Sequence, residues 1–192
     1  MRTGTSLRGP SWRLPVVRGV AALCLAAAVS AAGRPSFRWF ALTLAAYCIV
    51  DGIVWVAAAY RRSVVGLSPW CLIVRGGGSI AAGLAFALMW GATAEPIRAL
   101  VIGWAAFAGL FDVIGGWCAR GPVDGATFLV LNGVVTGFMA VIVATLPPVA
   151  LSDAADLIAV YATIAGTVLL LLGVRLALHT APATAVNVHR PI

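Results

Sequence analysis

The chain has 192 residues, of which 62% are hydrophobic and only 10% charged, with a formal net charge of +7. Its mean hydropathy is +1.03. Soluble domains carry about 45–50% apolar and about 25% charged residues, so too little polar surface is available to coat a water-soluble globule. The apolar excess also excludes a disordered chain, and it leaves an all-α membrane protein as the expected class.

A helix crossing a hydrocarbon core of about 30 Å needs about 20 mostly apolar residues. Six segments qualify, at about 13–33, 37–60, 70–90, 97–119, 126–146 and 154–177. The first follows Arg2, Arg8 and Arg13 and ends on Ser30-Ala31-Ala32, the layout of a secretory signal. It is read as a retained span because it belongs to the repeat described below. The second lies between Gly33-Arg34-Pro35 and Arg61-Arg62. Glu95-Pro96, Arg120-Gly121-Pro122 and Pro147-Pro148 punctuate the later spans. Asp153 and Asp156 flank the start of the sixth, where a helix N-terminus favours negative charge. The chain thus divides into a tail at 1–12, a six-helix transmembrane domain at 13–178 and a tail at 179–192.

All 13 basic residues are arginines that punctuate the spans instead of forming a patch. That pattern marks membrane topology, so the expected partner is the lipid bilayer and not nucleic acid. One side carries Arg2, Arg8, Arg13, Arg18, Arg61, Arg62, Arg75, Arg120, Arg175 and Arg190; the other carries Arg34, Arg38 and Arg98. The imbalance places both termini in the cytoplasm. Trp12, Trp70 and Trp117 then fall near the inner interface, and Trp39 and Trp90 near the outer one.

The chain repeats itself with a period of 57. Gly19, Gly76 and Gly133 share one register, Gly52, Gly109 and Gly166 a second, and Tyr47, Trp104 and Tyr161 a third. Each repeat (about 13–60, 70–119 and 126–177) holds two spans, so all three enter the membrane in the same sense. The expected architecture is three parallel two-helix repeats in a pseudo-threefold bundle, not the inverted repeat of many carriers. Small residues let helices approach closely in lipid, so these glycines, and the Gly133-x-x-x-Gly137 stripe, are expected packing surfaces.

Arg18, Asp51, Arg75 and Asp112 lie several residues inside predicted spans. A charge at the bilayer centre costs about 2.5–3.5 kcal/mol on insertion scales, so such groups pair or face water. Hairpin register sets Arg18 level with Asp51 and Arg75 level with Asp112. In the third repeat Asn132 takes the arginine position, with Thr163 and Thr167 bracketing its opposite. Two readings follow: an ion-pair clamp inside each hairpin, or a polar ring of Arg18, Arg75 and Asn132 around a water-filled axis.

Cys24, Cys48, Cys71 and Cys118 form no CxxC and read as small buried residues; His179 and His189 lie in the tail. No metal, cofactor or catalytic set is expected. HExxH, GxSxG, P-loop and GxGxxG patterns are absent from the sequence.

The Arg-Gly pairs near the start of odd spans (Arg18-Gly19, Arg75-Gly76, with Asn132-Gly133 in the third), the Tyr47…Asp51-Gly52 pattern and the turn prolines Pro35, Pro96 and Pro147-Pro148 resemble the HdeD-type short-repeat membrane family. The likeness spans about 12–178. It implies a non-enzymatic bacterial inner-membrane protein linked to acid or envelope stress. Repeat 2 departs in having Ala108 where repeat 1 has Asp51, and repeat 3 lacks both charges. The alternatives are a small transporter or channel for protons or small solutes, and a scaffold that binds partner helices through its glycine faces; a homo-oligomer or other membrane proteins are the candidate protein partners.

Overall fold

With no water to satisfy backbone N–H and C=O groups, an apolar run in lipid must bond to itself, and helices do this within one segment. A computed structural model describes residues 12–31, 37–61, 68–89, 93–118, 125–145 and 151–180. They form α1 (Arg13–Ala31), α2 (Phe37–Arg61), α3 (Pro69–Leu88), α4 (Ala94–Cys118), α5 (Gly125–Thr145) and α6 (Leu151–Thr180). Among the described residues there is no strand. Five helices carry stretches long and apolar enough to cross a membrane: Arg13–Ala31, Arg38–Arg61, Pro69–Leu88, Ala94–Cys118 and Ala155–Leu178. The apolar stretch of α5, Leu129–Thr145, is shorter. Threonine hydroxyls on the helix surfaces are satisfied internally, as with Thr43 to the Trp39 and Phe40 carbonyls and Thr145 to Val141.

The start of α4 and both ends of α6, which begins at Leu151 and not near residue 154, differ from the sequence expectation by three residues. α4 starts at Ala94, so Pro96 sits in its first turn instead of in the connecting turn. A first-turn N–H has no helical partner, and proline is tolerated there. α6 continues to Thr180, past residue 177. The turn residues Arg34, Pro35, Arg62, Arg120 and Pro147-Pro148 lie outside the described residues, as do Trp90, Asp124, both tails beyond Trp12 and Thr180, and the topology-setting Arg2, Arg8 and Arg190. Nor are the Asp153 and His179 side chains described.

The closest packing joins successive hairpins. α2 packs most extensively on α3, α4 on α5, and α6 on α1, while the hairpin partners α1–α2, α3–α4 and α5–α6 touch less. Glycine explains the pairing. A Cβ on Gly52 would sit 2.5 Å from the Gly76 carbonyl oxygen, and one on Gly76 2.7 Å from that of Gly52. Gly109 and Gly133 oppose each other in the same way at 2.7 and 2.6 Å, and Gly19 and Gly166 at 2.9 Å in both directions. A side chain at any of the six would collide with backbone.

Gly137 behaves differently. A Cβ there meets nothing within 4 Å, although Gly109 rests against the Gly137 backbone. At the other two interfaces the corresponding positions are Leu23 and Ile80, which contact the opposing glycines Gly166 and Gly52. The missing side chain leaves an open apolar groove of about 450 Å³ between α4 and α5, lined by Gly109, Gly133, Gly137, Ala106 and Ala140 among others.

The outer surface is apolar all round: Tyr60, Trp70, Leu88, Phe138 and Leu178 are each more than 60% exposed. A soluble monomer does not expose such an area, whereas lipid covers it without cost. The interior holds two apolar cores. The larger includes Phe40, Leu44, Phe86, Val101 and Val143. The smaller comprises Trp55, Ala58, Ala59 and Leu72. A buried polar layer separates them.

Candidate functional site

That layer is built from four charges on four helices. Arg18 Nε on α1 donates to Asp51 Oδ1 on α2 at 2.8 Å, and Arg75 Nε on α3 donates to Asp112 Oδ1 on α4 at 3.1 Å. These are the two pairs that hairpin register predicts. They are also cross-linked. Arg75 Nη1 lies 3.2 Å from Asp51 Oδ2, and Arg18 Nη2 lies 3.5 Å from Asp112 Oδ2. The result is a closed ring in which each guanidinium touches both carboxylates. Arg18, Asp51, Arg75 and Asp112 are 7%, 2%, 4% and 1% exposed.

The clamp pairs of both hairpins are present and are cross-linked to each other. Arg18, Arg75 and Asn132 do converge, but on the Asp112 carboxylate. Asn132 Nδ2 donates to Asp112 Oδ2 at 2.8 Å. This corrects the expected partner of Asn132. Thr163 and Thr167 point outward, and their hydroxyls donate to the Ala159 and Thr163 carbonyls of their own helix. A threonine one turn along from an available carbonyl satisfies itself, whereas the carboxylate across the α4–α5 interface still has a lone pair to offer.

Further groups complete the layer. Ser79 Oγ donates to Asp51 Oδ2 at 3.3 Å and accepts from Arg75 Nη1 and, at 3.2 Å, from Trp104 Nε1. Thr136 Oγ1 donates to the Asn132 carbonyl at 2.8 Å, so at 2.7 Å it accepts from the Tyr161 hydroxyl. The Trp55 ring lies beneath both guanidinium groups, with Arg18 Cζ 4.5 Å and Arg75 Cζ 5.8 Å from its centroid. Tyr47 packs edge-on to Trp104 at 5.9 Å.

Sequence reasoning missed Ser79, Thr136, Trp55 and the hydrogen-bonding role of Trp104 and Tyr161. A signal was present. Ser79 and Thr136 stand 57 residues apart and each lies one turn beyond the Arg75 or Asn132 position, so it shares that face of its helix.

The chemistry of this layer is mutual neutralisation. Two arginines balance two aspartates, and all four carboxylate oxygens accept from Arg, Ser or Asn donors. Removing one member of a buried ion pair costs about 3–5 kcal/mol because the partner is left uncompensated. Comparison with known protein families, with curated proteins and with solved structures returns no match.

Elsewhere, Cys48 is buried while Cys24, Cys71 and Cys118 are exposed, and all four are free thiols. The expectation of four buried cysteines holds for Cys48 alone, because a small apolar residue in lipid need not face inward. Among the described residues, no three His, Cys, Asp or Glu side chains gather as a metal site.

Proposed function

We propose that the chain is a non-enzymatic multi-pass protein of a bacterial inner (plasma) membrane, acting in acid or envelope stress. In this reading six spans form three parallel two-helix repeats about a pseudo-threefold axis, with both termini in the cytoplasm. Glycine pairs at a period of 57 support the repeats, and the arginine imbalance supports the orientation. The stress role rests on the resemblance to the HdeD-type family through the Arg-Gly and Asp-Gly motifs.

The observation that carries the non-conducting, non-enzymatic reading is the closure of the four-charge ring. Its carboxylates already have donors, and apolar cores flank it on both sides. Such a layer sets the register of four helices and seals the axis. A small transporter or channel would need a continuous polar route, and Phe40, Leu44, Phe86 and Val101 occupy the larger half of the interior. A scaffold would need free glycine faces; the six glycines in register are used within the chain, and the Gly137 side of the α4–α5 groove is the open one.

Three measurements test the proposal. Reporter fusions are expected to place both tails in the cytoplasm. Deletion of the gene is expected to lower survival under acid or envelope stress, and unchanged survival would remove the stress role. Proteoliposomes are expected to show background proton and ion flux. Flux that disappears with Arg75→Gln would favour the transporter instead.

A further inference from the structure

We propose that Trp55, Arg18 and Arg75 frame a binding site for one small monovalent inorganic anion, taken up together with one proton. The site stands on geometry alone, whatever use the cell makes of the protein.

The Trp55 indole Nε1 is the only buried side-chain nitrogen or oxygen among the described residues without a hydrogen-bond partner. The residue is 5% exposed. A buried N–H left unmatched calls for a partner that the protein does not supply, such as a bound water or ion. Both guanidinium groups sit over the same ring. Each guanidinium brings five N–H donors, and Asn132 and Trp104 add more, against two carboxylates and the Ser79 hydroxyl as acceptors. Donors outnumber acceptors, so what the layer lacks is an acceptor. It must be small, because Ala58, Ala59 and Leu72 close the space around Trp55.

Charge decides what accompanies it. The ring is neutral, and a lone anion would leave a buried charge uncompensated. One proton taken up with the anion restores the balance. The charged and titratable groups facing the site are Arg18 from α1, Asp51, Tyr47 and Cys48 from α2, Arg75 from α3, Asp112 from α4 and Tyr161 from α6; α5 contributes the neutral Asn132. Access is shortest from the α1 N-terminal end. Arg18 lies five residues from the start of α1, about 7.5 Å along the helix.

The test uses the full chain in lipid nanodiscs, titrated with bromide under weak buffering while proton uptake is recorded. Bromide affinity is expected to rise by up to about tenfold per unit fall in pH, with about one proton taken up per bromide. Trp55→Phe is expected to weaken binding about tenfold, while Trp39→Phe on the outer surface leaves it unchanged. No saturable bromide uptake by the folded protein at any pH, uptake without protons, or wild-type affinity in folded Trp55→Phe would each overturn the site. Where Trp55→Phe does not fold, the wild-type proton-to-bromide ratio decides.

Discussion

Arg18 and Asp112 belong to different hairpins, yet Arg18 Nη2 reaches within 3.5 Å of Asp112 Oδ2. This contact turns two separate ion pairs into one ring. Its energetic meaning is that each charge has two alternative partners.

Double substitutions expose that redundancy. Arg18→Ala alone leaves two carboxylates against one guanidinium and is expected to cost about 3–5 kcal/mol. Adding Asp51→Ala leaves the Arg75–Asp112 pair at 3.1 Å, and adding Asp112→Ala leaves Arg75–Asp51 at 3.2 Å. Both doubles are neutral, so both are expected to recover roughly half of the loss or more. Thermal unfolding of the purified variants measures this. Recovery by the Asp51 double alone would reduce the ring to a local clamp.

Neighbouring glycines on α3 are expected to respond in opposite directions. Gly76→Ala drives a methyl group into the Gly52 backbone and is expected to cost about 1–3 kcal/mol. A Cβ on Gly77 meets nothing within 4 Å, so Gly77→Ala is expected to gain up to about 1 kcal/mol of helix propensity. Equal effects in an unfolding assay would rule out the α2–α3 contact.

Gly137→Leu tests the α4–α5 groove. Its side chain projects into open space where Leu23 and Ile80 stand at the other interfaces. The variant is expected to match or exceed wild-type stability, within about 1 kcal/mol. A larger loss would show that the groove is filled in the membrane.

Asn132 and Thr167 were paired by register and are separated by the structure. Asn132→Leu removes a donor from buried Asp112 and is expected to cost about 1–3 kcal/mol. Thr167→Val touches only a bond within α6 and is expected to stay within about 0.5 kcal/mol of wild type. A Thr167 effect as large as that of Asn132 would contradict the outward placement of Thr167.

The ion pairs were legible because a hairpin's geometry follows from counting: 1.5 Å per residue from a shared turn sets Arg18 level with Asp51 and Arg75 with Asp112. The period of 57 likewise identified the six glycines that pack against one another. Which glycine faces which was not legible. Gly52 opposes Gly76, and Gly19 opposes Gly166 from the far end of the chain, so the close interfaces lie between hairpins and not within them.

Composition and register alone determined that this chain is a helical membrane protein with buried, paired charges, because lipid leaves an apolar chain one backbone solution per span and makes a lone charge costly. Tertiary structure alone decided that the pairs fuse into one ring with Asn132, Ser79 and Trp104 bound to it, and that the Trp55 N–H is left over. Partnership across the bundle depends on how whole helices are arranged around the axis, and one-dimensional spacing carries depth but not azimuth.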